Sequence, residues 1–144
     1  MDTLSPTARR LGLAGLLPQA AAFVAVLRDG PEHWTALALG FGYAALIFSF
    51  LGGVWWGQGL TLARPPRWIF AAAVLPSLIA LMLWFPWMVG DTWPGPEMIA
   101  LGTLIVGSPL VDHAIGAAPA GWMALRWQLS LGLGILTVLI GLLH

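Results

Sequence analysis

The sequence predicts an all-α integral membrane bundle of about five transmembrane helices, with a cytoplasmic N-terminus and a periplasmic C-terminus. Three observations predict it. Of 144 residues, 59% are hydrophobic and only 8% charged, against roughly 25% charged in soluble domains. The mean hydropathy is +0.87, and the apolar residues fall in long blocks separated by short stretches carrying Pro, Gly or Arg. A membrane crossed five times from inside places Arg9, Arg10, Arg64, Arg67 and Arg126 on the cytoplasmic side and Arg28 alone outside.

The first span is expected over residues 8–27, its apolar block running from Leu11 to Leu27 after Arg9 and Arg10. The order Arg-Arg, apolar stretch, Ala20-Ala21-Ala22 mimics a cleaved secretory signal, but a retained helix is the expectation. Pro18 lacks a backbone donor and so frees a carbonyl, and Gln19 beside it is expected to make an interhelical hydrogen bond. A second span covers residues 34–62, long enough to cross with tilt. Residues 68–89 form the third, with Trp68 at one interface and Trp84 and Trp87 at the other. Residues 90–97, with Asp91, Pro94, Pro96 and Glu97, are expected to make a tight external turn, Trp93 lying in the headgroup layer.

The fourth block starts near Met98. Stopping at Val111 would leave a helix rising only about 21 Å, so the span is extended through Asp112 and His113 over residues 98–117. The fifth covers residues 123–143. Pro76 with Ser77 and Ser108 with Pro109 are kink candidates.

Formal net charge is zero, which excludes the basic footprint of nucleic-acid binding. The absence of cysteine excludes disulfides, Cys-ligated metal and thiol nucleophiles. The sequence carries no Walker loop, dinucleotide fingerprint, HExxH, GxSxG or paired carboxylate, so neither enzymatic activity nor a cofactor is expected. No inverted repeat is visible, which argues against a self-contained secondary transporter.

In the second span Ala45, Ser49, Gly53 and Gly57 recur every four residues and line one face. Packing within the chain is the foremost expectation for this ridge, and dimerisation or docking on a partner is the other. Trp55 and Trp56 either belong to an interfacial belt or form an aromatic wall for a flat, greasy ligand. Asp112 and Arg126 stand at similar depth on either side of a turn near Pro119 and Ala120. Unpaired charges there are costly, so a structural ion pair is the preferred reading. The functional alternative joins Asp112, His113 and Gln58 in a polar patch facing a cavity, for proton relay or ligand capture. His113 alone is a weak metal or haem ligand, and no metal site is expected.

The stretch Gly42-Tyr43-Ala44-Ala45-Leu46-Ile47-Phe48-Ser49-Phe50-Leu51-Gly52-Gly53-Val54-Trp55-Trp56-Gly57, together with Leu110-Val111-Asp112, Pro119, Trp122, Leu125 and Arg126, resembles the bacterial relatives of mitochondrial transmembrane protein 69. That family is of unknown function. The resemblance implies a small polytopic inner-membrane protein, and it marks Ser49, Gly52, Gly53, Trp56, Gly57, Asp112 and Arg126 as structural positions.

Two functions follow as expectations. The first is a non-enzymatic accessory, assembly or scaffold subunit of a bacterial inner membrane, packing against other membrane proteins or a second copy of itself. The other is a binder of a porphyrin, quinone or lipid-like molecule in a pocket between helices, with Trp55, Trp56, Gln58, Asp112, His113 and Arg126 as its residues.

Overall fold

A computed structural model describes residues 4–90 and 95–143. Seven helices follow in order: α1 (Pro6–Ala14), α2 (Leu17–Arg28), α3 (His33–Leu60), α4 (Arg67–Met88), α5 (Gly95–Gly107), α6 (Pro109–Ile115) and α7 (Trp122–Leu143). They make five apolar stretches long enough to cross a membrane, with α1 and α2 forming the first and α5 and α6 the fourth.

The first span is broken, and proline explains where. Ser5 caps α1 by accepting from the Thr7 and Ala8 amides at 3.2 and 3.4 Å. The chain then leaves the helix at Gly15 and Leu16, because Pro18 offers the Ala14 carbonyl no N–H and its ring crowds that carbonyl. The fourth span breaks at Ser108 for the same reason, Pro109 opening α6. It begins at Gly95, earlier than expected, and Pro96 is accommodated in the first turn, where an amide would have no helical partner. The turn expected over residues 90–97 therefore ends before Gly95, and Asp91, Trp93 and Pro94 lie outside the described residues.

Packing is set by glycines at two helix pairs. Between α5 and α7, a Cβ built on Gly102 would stand 2.6 Å from the Gly134 carbonyl oxygen, and one on Gly141 would stand 2.8 Å from that of Gly95. The backbones touch there, as small residues allow in lipid. Between α3 and α4, Gly52 presses on the Ala73 carbonyl and Gly59 on Ile69. These two glycines, seven residues apart on one face, make the intrachain contact expected of Gly53 and Gly57. A Cβ added at Gly53 or Gly57 would meet no heavy atom within 4 Å, so the ridge turns outward beyond Ala45, which is buried. The rotation of about 100° per residue separates the two faces.

The apolar core centres on Leu37, Phe41, Met98, Leu101, Ile105 and Ile140, all essentially inaccessible. Gln19 is buried among them and donates from Nε2 to the Gly40 carbonyl at 3.1 Å and to Thr137 Oγ1 at 2.8 Å, making the interhelical bond that joins α2, α3 and α7. Thr137 itself donates to the Leu133 carbonyl, and the Gly40 carbonyl lies inside α3, so both keep a second partner. Gln19→Leu is accordingly expected to cost only about 1 kcal/mol, read as a small drop in the denaturation midpoint of the purified protein in detergent. A loss several times larger would mean that Gln19 also organises the helix break.

Candidate functional site

The polar centre of the bundle is built from three helices. Asp112 on α6 is fully buried and Arg126 on α7 is 2% exposed. Arg126 Nε lies 3.2 Å from Asp112 Oδ2, and Nη2 lies 3.4 Å from Oδ1, a two-pronged pairing that suits the planar guanidinium. Trp55 on α3 donates its indole N–H to Asp112 Oδ1 at 2.6 Å, and Trp122 at the start of α7 donates to Oδ2 at 2.9 Å. Both carboxylate oxygens are thus occupied by donors.

The guanidinium reaches further. Nη1 donates to Ser130 Oγ at 2.7 Å and Nη2 to Ser108 Oγ at 3.0 Å. Ser108 donates in turn to the Ile105 carbonyl at 2.6 Å, on the far side of the break between α5 and α6. The arrangement is a clamp: an ion pair, two indoles and two hydroxyls hold α3, α6, α7 and the break together. In a low-dielectric interior such a network stabilises only when its members are satisfied, and here one guanidinium hydrogen, the second on Nη1, has no acceptor among the described residues.

The other residues singled out in the sequence are not brought to this centre. Trp56 is 44% exposed and packs edge-on against Phe70 at 4.9 Å between ring centroids. Adjacent helix positions point about 100° apart, so Trp55 turns inward, Trp56 turns outward, and the two form no common wall. His113 is exposed and accepts from Trp127 Nε1 at 3.3 Å, one position round α6 from the clamp. Gln58 is half-buried with its Oε1 unpartnered, and no bond joins it to Asp112 among the described residues. The polar patch of Asp112, His113 and Gln58 does not assemble. Among the described residues no three His, Asp or Glu side chains are grouped as a metal site.

Three participants in the clamp are not given that role by the residues in isolation: Trp122, marked only by the family resemblance, Ser108, named only as a kink candidate, and Ser130. Ser108 precedes Asp112 by four residues and Ser130 follows Arg126 by four, so the spacing that stacks side chains on one helix face was the available signal. Tyr43 donates its hydroxyl to the Gly15 carbonyl at the break in the first span.

Five long apolar helices around a buried polar clamp define an all-helical, multi-pass membrane protein. The chain belongs to the family described as protein of unknown function (DUF3429), whose model matches residues 4–142. No curated protein and no solved structure matches it.

Proposed function

We propose that the protein is a non-enzymatic accessory or assembly subunit that packs its α3 face against a transmembrane helix of another protein in a bacterial inner membrane. The observation that carries this reading is the outward line of Gly42, Ser49 and Gly53, continued by Gly57. Gly42 and Gly53 are eleven residues apart, a rotation within about 20° of whole turns, and no heavy atom lies within 4 Å of a Cβ built on Gly42, Gly53 or Gly57. Gly42 and Ser49 of this line border a groove of about 290 Å³ between α3 and α4, with Ser77, Ala80 and Trp84 on its other bank. A bare backbone beside a groove lets a second helix approach closely, and lipid chains gain much less from it. The clamp supports the same reading from inside, since its groups serve to hold helices in place.

The N-terminus is proposed to be cytoplasmic. Arg9, Arg10, Arg64 and Arg67 share one end of the bundle with the turn between α6 and α7, and Arg28 stands at the other. Arg126 is buried and drops out of that balance. Within the family, the Ser49-to-Gly57 stretch supports kinship with the bacterial relatives of mitochondrial transmembrane protein 69.

A photo-crosslinking residue at Gly53 in native membranes tests the proposal, with the lipid-facing Leu78 as control. A single discrete adduct from position 53, absent from position 78 and lost when Gly57 is replaced by Leu, is expected. An adduct of twice the chain's mass would replace the partner by a second copy. Identical smears from both positions would refute the docking face.

A further inference from the structure

A cavity also borders the clamp. α1, set off from α2 by the break, packs on α7, where a Cβ on Gly12 would meet Leu125 and Leu129 at 3.5 Å, and no residue of α1 is buried. The wedge between α1, α3 and α7 is a cavity of about 330 Å³, within the range of small-molecule sites. Tyr43 bridges α3 to the break at Gly15, and both line the cavity. Leu11 and Phe50 line it and are 69% and 64% exposed, so it opens sideways toward lipid.

The wall is largely apolar, and of its polar side chains Tyr43 spends its hydroxyl hydrogen on the Gly15 carbonyl and Trp122 its indole N–H on Asp112. Arg126 and Ser130 line the cavity, and Arg126 carries the unused Nη1 hydrogen while being 2% exposed. A buried donor of this kind needs an acceptor. A second anion is disfavoured, because Asp112 already neutralises the guanidinium and a further carboxylate or phosphate would be buried without a counter-charge. A neutral carbonyl fits. Its depth is defined too: α7 has 22 residues, close to a full crossing, and Arg126, four residues in, lies about 6 Å beneath its start. With α7 crossing the bilayer end to end, that depth is close to the hydrocarbon boundary, near the level of an ester carbonyl.

We propose that this cavity binds a long-chain apolar molecule bearing a neutral carbonyl, the chain lying along Ile47, Leu51 and Leu133 and the carbonyl accepting from Arg126. Two membrane sources share that chemistry, an ester-linked phospholipid and an isoprenoid quinone. The site is independent of the α3 docking face.

The full-length protein in nanodiscs is to be photolabelled with three diazirine probes: an ester-linked phosphatidylcholine, its ether-linked analogue without carbonyls, and a prenylated benzoquinone. Adducts are mapped by peptide mass spectrometry. Labelling by an ester or quinone probe concentrated on residues 11–16, 47–54 and 129–133, weak with the ether analogue, and lost in Ile47→Trp while adducts on Leu75, Leu78 and Met82 persist, is the expected result. Val54→Trp serves as a second filling variant should the first not fold. Whichever of the ester and quinone probes labels the cavity identifies the source. Equal labelling by ester and ether lipids would overturn carbonyl recognition, and adducts spread evenly over all lipid-facing helices, unaffected by either variant, would overturn the site.

Discussion

Asp112→Asn is expected to destabilise the bundle by about 3–5 kcal/mol. Asparagine keeps the size of the side chain and an acceptor for one indole, so little packing is lost. What changes is charge: Arg126, 2% exposed, is left with a buried positive charge and no counter-ion. Removing one partner of a buried pair leaves the desolvation of the other uncompensated, which is why the loss exceeds that of a single neutral hydrogen bond, about 1 kcal/mol. Urea or SDS titration of the purified protein in mild detergent, followed by tryptophan fluorescence, measures it. The double variant Asp112→Leu with Arg126→Met is expected to recover part of the loss, because both charges disappear together. Recovery stays incomplete, since Trp55 and Trp122 lose the acceptor they share. An Asp112→Asn protein as stable as its parent would show that the pair is not what holds α3, α6 and α7.

Gly102→Val is expected to be of similar severity, about 3 kcal/mol, by steric means. The added Cβ would stand 2.6 Å from the Gly134 carbonyl oxygen and 2.9 Å from the Val138 amide, both backbone atoms of a helix that cannot give way locally. α5 and α7 would have to part along their length, breaking the contact of Gly141 with the Gly95 carbonyl as well. Gly53→Ala is the informative counterpart. Nothing lies within 4 Å of that position, so the substitution is expected to raise helix stability by up to about 1 kcal/mol in the isolated protein. Its effect on assembly, if α3 docks there, runs the other way. Equal stability of the two variants in the same detergent titration would contradict the helix pairing.

Much of the architecture was legible because lipid imposes it. Each crossing needs about 20 apolar residues, whatever packs against it, so the five blocks could be delimited before any contact was known. The pairing of Asp112 with Arg126 was legible from depth alone, both lying a short distance from one turn. The use of each helix face was not. α3 is apolar on every side, with Leu46 and Phe50 facing out and Phe48 and Leu51 facing in, so no polar stripe marks its inner face. Two glycine spacings competed on it, and the four-residue ridge is the more conspicuous pattern even though Gly52 and Gly59 make the contacts. Trp55 and Trp56, adjacent in sequence, are divided by the helical rotation between a buried donor and a surface ring. The lateral cavity was hidden for another reason. It arises from the packing of α1, ahead of the break, on α7, which depends on residues more than a hundred positions apart.

The clamp also bears on how the chain enters its membrane. Alone, a helix carrying Asp or Arg is harder to release from the translocation channel, by up to about 2.5–3.5 kcal/mol at its centre and by less toward its ends, and Asp112 and Arg126 lie near the facing ends of consecutive spans joined by a short turn. Each supplies the other's counter-ion, so the last two crossings are expected to partition as one hairpin, late in synthesis. Trp55, made some 57 residues before Asp112, waits for that hairpin to arrive. A cysteine replacing the exposed Leu104 of the fourth span should therefore react with a water-soluble maleimide in ribosome-bound chains ending just after that span, and be protected in chains that include the fifth.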